Sequence, residues 1–575
     1  MIDKIKREIY KLLQSAGVAG EIELTTPPNP EMGDLSFACF GLAKERGKSP
    51  NEIAKELASN VKGQMSNVFD EVQAVGPYVN FFIDPHVLAK QALGDIDESY
   101  GQSKVGKKKK YLVEFGCPNP LKVFHLGHLK NLVTGESVAR ILENAGYKVV
   151  RVNYQGDVGM HIAKTMWAIE SQRSAFSVQR SASLEKRLKF LGTMYAKGAK
   201  SFEENEQAKK EIVAMNKRIY QKDPTLQTMY RLAVKWSLEY FDQIYKRLGA
   251  HFDRLYLESE VFASGEMIVR AYLKKRVFKE SAGAIIYEGS KHGLHDRVFI
   301  NSEGFPTYEA KDLGLAQAHF TDYNPDQIIH VVGKEQVEYF KVVFKAIAEI
   351  WPARANKEFH LPGGFLQLKD GKMSSRTGTV VRAEDLLNQA RTAVLAIMAD
   401  RDLAKKDEVV EKVAVAAVKY AILKVSVSDD VAFDLKRSVS LEGDSGPYLL
   451  YIVARIKSIL KKTQKHKNTK TQKHKNTKTQ KHKNTKTFTS YEKQLLLQLA
   501  SFPEITSQAA ASLDPSKIAH YLFHLAQTFN AFYHECPVLE AAPAVKEFRL
   551  RLIQKVALVM TAGLALLGIE TAEEM

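Results

Sequence analysis

The stretch YLVEFGCPNPLKVFHLGHLKNLVTGESVARILENAGYKVVRVNY, Tyr111–Tyr154, decides the fold. YLVEF is a short buried strand, and GCPNPLKVF after it is broken by Pro118 and Pro120 into a loop. In LGHLKNLVTGESVARILENAG the apolar residues Leu129, Leu132, Val133, Ala139, Ile141 and Leu142 recur at three- and four-residue intervals, as on one face of a helix. Gly146 supplies the stop, and YKVVRVNY is the next strand. Strand, helix and strand in succession imply parallel pairing with a right-handed crossover, the unit of a nucleotide-binding sheet.

His125-Leu126-Gly127-His128 lies where this loop enters the helix. Helix starts attract anions, because free N–H groups and the positive dipole end face the ligand. Two histidines three residues apart at that turn can aim donors at one phosphate and stabilise charge developing there. Gly127 lets a flat base approach the backbone. The plain alternative is a capping or surface pair; Pro118, Asn119 and Lys122 just before it favour the functional reading. A second element, LKDGKMSSRTGTVV (residues 368–381), sets Lys372, Ser374, Ser375 and Arg376 between Gly371 and Gly378. Such a loop can close on a departing phosphate. Alone it would be a solvated basic turn; with the histidines it becomes specific.

Working outward, residues 1–105 form a small α+β module. Helical patterns at Ile2–Ala16 and Asn51–Lys62 precede the alternating segment VGPYVNFFID, which ends at Asp84. The lysine run Lys107–Lys110 marks a boundary, with a solvated linker expected in preference to a phosphate contact. Residues 106–382 hold the α/β unit, interrupted by a helical insertion at about 168–249; strand-like segments return at DRVFIN and QIIHVVG. Residues 383–575 read as an all-α bundle. Inside it the octapeptide TQKHKNTK runs three times, Thr463–Lys486. With no apolar residue it cannot bury a core and is expected to be a disordered loop, a tolerated expansion. Metal binding by its His466, His474 and His482 is the lesser reading.

A chain of 575 residues exceeds one core. Its formal charge is +17; the array carries nine of the lysines, and without them the charge is +8, a mild preference for a polyanionic partner. Cys39, Cys117 and Cys536 are too dispersed for a disulfide framework or a zinc pair, so no protein-bound metal is expected. No apolar run approaches the roughly twenty residues of a membrane span, and the N-terminus lacks a signal-peptide core. A cytoplasmic location, with no membrane partner, is expected.

HLGH and KMSSR resemble the HIGH and KMSKS elements of class I aminoacyl-tRNA synthetases, and their surroundings resemble the arginyl members in particular. VEFGCPNPLKVFHLGHLKNL, RVNYQGDVG and FPTYEAKDLGLA are similar to that family's active-site segments. DSGPYLLYIVARIKSIL, FNAFYHECPVL and LALLGIETAEEM resemble its anticodon-binding domain. EMGDLSFACFGLAKERGKSPNEIA and VGPYVNFFID resemble its tRNA-elbow module. The resemblance leaves out only the insertion and the array. It implies a Rossmann-like parallel-sheet catalytic domain with an inserted helical region, an N-terminal α+β domain and a C-terminal anticodon-binding bundle. It further implies ATP-dependent ligation of L-arginine to tRNA(Arg) through arginyl-adenylate, with Mg2+ accompanying ATP, by a monomer.

By this resemblance ATP is held by His125, Gly127, His128, Lys372, Met373, Ser374, Ser375 and Arg376, and the catalytic groups are His125, His128, Lys122 and Lys372. Arginine is lined by Glu114, Asn119, Tyr308, Asp312 and Gln336, the carboxylates suiting a guanidinium. Tyr448, Tyr451, Asn530, Tyr533 and Met575 are the candidate tRNA contacts. Ser375 stands where KMSKS has its second lysine, a loss shared by many arginyl enzymes; Lys122, just before HLGH, then supplies the charge. Asp157 either supports the site or forms a turn. A cysteinyl enzyme would need zinc ligands, and a glutamyl enzyme a basic pocket. A small-molecule nucleotidyltransferase would not need the flanking modules, and a silent RNA-binding relative would not need the intact His125, His128, Lys372 and Asp312.

Overall fold

A computed structural model describes the backbone of residues 2–369, 381–470 and 488–575. At its centre are five parallel strands: β1 (Lys110–Glu114), β2 (Lys148–Gln155), β3 (Arg254–Leu257), β4 (Gln327–Gly333) and β5 (Glu358–Gly363). Their order across the sheet is β3-β2-β1-β4-β5. The direction of winding reverses between β1 and β4, and ligands of such sheets bind beyond the carboxyl ends of the strands at that point. Helix α1 (Leu126–Asn144) follows β1, and α2 (Glu258–Leu273) follows β3. Helix α3 (Tyr308–Tyr323) leads into β4, and α4 (Val337–Ile350) joins β4 to β5.

The insertion consists of five helices, Met160–Glu170, Arg173–Gln179, Leu184–Glu204, Glu206–Tyr220 and Pro224–Arg247. They bury their own core of Ile162, Met166, Leu191, Ile212 and Trp236. The insertion therefore begins about one helix earlier than the pattern suggested. DRVFIN is a strand, Arg297–Ile300, but not of the parallel sheet: it pairs antiparallel with Ala284–Tyr287, which pairs with Lys279–Ser281. Alternation reports a half-buried strand and is silent about its partner. RLYL and EFHLPG, which became β3 and β5, are too short to stand out from the sequence.

The N-terminal module has four antiparallel strands, in the order Leu24–Thr25, Leu35–Ala38, Tyr78–Ile83, Phe69–Val75. Helix Pro50–Lys62 begins on a Ser49/Glu52 capping box. Asp84, expected to end a strand, caps the next helix, accepting from the His86 N–H at 2.7 Å. The C-terminal bundle is not wholly helical: Val431–Phe433 pairs in parallel with Leu366–Leu368, a few residues before Lys372 in the chain. One apolar core runs from the N-terminal module through α1 into the bundle, including Ile9, Phe81, Leu132, Val418 and Leu522. Lys6 and Glu504 clamp the outer edges at 2.8 Å.

The octapeptide array departs from the expected loop at its start. Helix Gly446–Lys470 continues through the first copy, Thr463–Lys470. Lysine and glutamine are good helix formers, and the packed turns before them supply the nucleus that an isolated polar segment lacks. The remaining two copies lie outside the described residues.

Candidate active site

The carboxyl ends of β1 and β4 open into a cleft of about 620 Å³. His125 is the N-cap of α1: its Nδ1 accepts from the N–H groups of Gly127 at 3.1 Å and His128 at 3.4 Å. His128 Nδ1 accepts in turn from the His125 N–H at 3.3 Å. The rings stack with centroids 3.6 Å apart. An Nδ1 that accepts carries no proton, so each neutral ring must bear its hydrogen on Nε2. Burial, and then the Lys122 charge, keep His125 below the usual histidine range; burial, His125 and Lys122 do the same for His128. Capping and ligand binding are thus not alternatives here, because Nδ1 serves the helix and leaves Nε2–H as a donor. Gly127 lies on the cleft wall between them, and a Cβ there would stand 3.0 Å from His125 Cε1.

All five residues proposed for arginine line this same cleft. Glu114 ends β1, with Oε1 3.0 Å from His330 Nδ1. Burial works to raise its pKa, but the charge and hydrogen bond of His330 outweigh it and keep the group ionised. Asp312 projects from α3 and accepts a 2.7 Å hydrogen bond from the Tyr339 hydroxyl. Its pKa is pushed up to about 8 by burial, with the Tyr339 bond opposing and the Glu114 charge adding. Tyr308, one helical turn earlier, is exposed at the mouth. Asn119 Oδ1 accepts from the Gly156 N–H at 3.2 Å, and Gln336 sits just ahead of α4.

Lys122 is not part of the lining. It is half-buried beside the histidines, its pKa lowered by burial and partly restored by Glu258. Lys372, Met373, Ser374, Ser375 and Arg376 lie outside the described residues. The ends of their segment are described: Gly364 and Phe365 line the cleft on one side. On the other, Arg382 bridges His125 and the Ala383 N–H donates to Phe124 O at 2.9 Å.

Several cleft residues were not singled out in the sequence. Glu258 opens α2 and forms a buried 2.7 Å pair with Lys311, whose Nζ lies 4.8 Å from the Tyr308 ring centroid. His330 is a lone histidine in the apolar run QIIHVVG, which was the available signal. Cys117 lines the cleft in a left-handed conformation, φ 48°, its thiol pKa raised by burial and by Glu114. Asp157 is a support: Oδ2 accepts from the Tyr230 hydroxyl at 2.6 Å and Oδ1 from the Ser259 N–H at 2.8 Å, tying the insertion to α2.

In the bundle, three of the tRNA candidates gather around an arginine that sequence reasoning passed over. The Arg455 guanidinium lies 4.2 Å from the Tyr533 ring and 5.8 Å from that of Tyr451, and its Nη1 donates to Asn530 Oδ1 at 3.4 Å. Tyr448, three residues before Tyr451 on the same helix, donates to Ala526 O at 3.5 Å. Met575 lies apart, its carbonyl accepting from Arg401 at 3.4 Å. Among the described residues no helix is long and apolar enough to cross a membrane, and no group of three or more His, Cys, Asp or Glu could hold a metal ion.

Comparison with known proteins agrees with this architecture. The family profile described as "tRNA synthetases class I (R), catalytic domain" matches residues 90–435. "Arginyl tRNA synthetase N terminal domain" matches 1–83, and "DALR anticodon binding domain" matches 449–575. The chain is 34% identical over 571 residues to an arginine–tRNA ligase of Treponema pallidum, covering 96% of this chain and 95% of that protein. It is 33% identical over 559 residues to that of Clostridium perfringens, with coverage of 96% and 95%. The solved arginyl-tRNA synthetase of Thermus thermophilus superposes with a TM-score of 0.79 at 26% identity, over 100% of both chains. That of Plasmodium falciparum shares the fold at 20% identity, TM-score 0.76, over 99% of both. With a catalytic profile spanning more than half its length and near-complete alignment to such relatives, the chain belongs to the class I arginyl-tRNA synthetases.

Proposed function

We propose that this chain ligates L-arginine to tRNA(Arg) at the expense of ATP, through arginyl-adenylate, releasing AMP and pyrophosphate. The observation that carries the reading is one cleft holding two kinds of group. Histidine Nε2–H donors stand at the tip of α1, and the carboxyl groups of Glu114 and Asp312 line the same cleft.

A guanidinium is planar and permanently charged, so a dry pair of carboxylates binds it well and penalises a neutral side chain. Asn119, Tyr308 and Gln336 orient the remainder of arginine so that its carboxylate faces the α-phosphorus of ATP, which enters with Mg2+ as part of the substrate. During in-line attack His125 and His128 donate to the phosphate as its charge grows. Donors placed in this way are each worth about 10²–10³ in rate. Lys372, with Ser374, Ser375 and Arg376 of the same basic segment, and Lys122 neutralise the departing pyrophosphate. The terminal ribose 2′-OH of tRNA then accepts the arginyl group. No covalent enzyme intermediate is needed, so positioning and electrostatics carry the reaction.

The Arg455 patch supports anticodon reading by the bundle, where tyrosine faces and an amide can take splayed bases. The working form is read as a cytoplasmic monomer, which light scattering on the purified chain would check. Amino-acid-dependent ATP–pyrophosphate exchange across the twenty amino acids, with and without tRNA, tests the proposal. Exchange should respond to arginine, require bound tRNA, and be lost in His128→Ala. A response to another amino acid would overturn the specificity.

A further inference from the structure

Three neighbouring strands place three ionisable side chains in a row along the lining of the cleft. His330, in the middle of β4, pairs in register with Glu114 at the end of β1 and with His360 of β5; Glu358 lies two residues before His360, on the same face of the sheet. His330 Nδ1 is 3.0 Å from Glu114 Oε1, and its Nε2 is 2.7 Å from Glu358 Oε2. All three side chains are buried. Ionised carboxylates only accept, so an imidazole serving both must donate from both nitrogens. Phe340 and Phe344 of α4 pack against the ring, with centroids 5.2 and 5.6 Å away.

The outer oxygens complete the picture. Glu114 Oε2 and Glu358 Oε1 have no hydrogen-bond partner among the described residues. His319, beneath Glu114 Oε2 at 3.8 Å, is likewise unpaired at both nitrogens. Arg354 acts on Glu358 from outside without forming an ion pair within 4 Å among the described residues. An unpaired buried carboxylate oxygen is costly unless a ligand satisfies it. Glu114 thus has one oxygen fixed by His330, while its other oxygen is buried, faces His319 at 3.8 Å and has no hydrogen bond among the described residues.

We propose that His330, as an imidazolium held between Glu114 and Glu358, is the positioning residue that fixes the arginine-selective carboxylate. It locks the Glu114 rotamer and separates two carboxylates that would otherwise repel. The inference rests on the arginine-activating reading above.

The test is ATP–pyrophosphate exchange with tRNA present, comparing the unmodified chain, His330→Gln and the double variant His330→Gln/Glu358→Gln. His330→Gln should raise the KM for arginine by about tenfold or more, with the KM for ATP within about twofold and kcat at saturating arginine within about threefold. Removing the second carboxylate relieves the repulsion, so the double variant should recover much of that loss. Equal losses for both substrates, or no recovery, would assign His330 a merely structural role. Should His330→Gln fail to fold, ¹⁵N spectra of the unmodified chain decide. The His330 ring should remain doubly protonated near neutral pH and shift when arginine is added; a neutral ring, or one indifferent to arginine, overturns the proposal. Exchange driven by another amino acid would instead defeat the functional reading, and the protonation measurement would still stand.

Discussion

Asp312 sits on α3 with Oδ2 bonded to Tyr339 and a pKa pushed up to about 8, chiefly by burial, so it holds a proton at neutral pH until a cation arrives. Its folded pKa exceeds the unfolded carboxylate value. The stability it contributes is therefore fully present below the unfolded pKa and is lost as pH rises through about 8. Arginine favours the ionised form and should expel the proton. Its affinity is expected to strengthen with pH up to about 8 and then level, by at most about tenfold per unit. Calorimetry in buffers of different ionisation enthalpy should detect close to one proton released near neutrality; none released would contradict this account. Asp312→Asn should abolish the release and raise the arginine KM by about 10²-fold, roughly the weight of a charge-assisted buried bond. The identity of Asp312 as a cleft residue was legible from FPTYEAKDLGLA. Its protonation was not, because that depends first on burial, then on the opposing Tyr339 bond and the Glu114 charge, all supplied by residues distant in sequence.

Among the elements, α1 shows how a motif serves two ends. Because His125 Nδ1 caps the helix while Nε2 remains a donor, the two roles can be separated experimentally. His125→Asn retains a good cap, so melting should move by no more than about 0.5 kcal/mol while exchange falls about 10²-fold. A large loss of stability would show that capping dominates. Helices α2 and α3 cross at a pair of glycines. A Cβ on Gly265 would meet Ala310 O at 1.9 Å, and one on Gly314 would meet Val261 O at 2.2 Å. Gly265→Ala must therefore push α3 outward, taking Tyr308 and Asp312 with it. It is expected to cost about 1–3 kcal/mol in chemical denaturation and to raise the KM for arginine more than that for ATP. The helical periods of α1 were readable, but the close crossing of α2 and α3 was not, since it arises only when two distant glycines face each other.

For the whole molecule, the shared core and the edge contacts join the N-terminal module, sheet and bundle, so the Arg455 patch is held at a fixed distance from the cleft. Arg455→Ala, which removes the partner of Tyr451, Asn530 and Tyr533, should raise the KM for tRNA about tenfold or more while leaving those for ATP and arginine nearly unchanged. An unaltered tRNA KM would move anticodon reading elsewhere. Excising residues 471–486, the two later octapeptides, should change aminoacylation by less than about twofold at moderate salt, since the segment has no apolar residue with which to build a core.

By itself the sequence determined the order of the three units, the β1–α1–β2 nucleus and the histidine tip, because these are written in local spacing and in the chemistry of contiguous residues; the acidic character of the pocket was legible only through the family resemblance. Only the tertiary structure decided which strands share the parallel sheet, that DRVFIN belongs to another one, and that His330, Glu358, Glu258 and Arg455 stand beside the groups they serve. The reason is physical: pairing register, burial and the protonation they impose are properties of neighbours brought together by folding, and no local period records them.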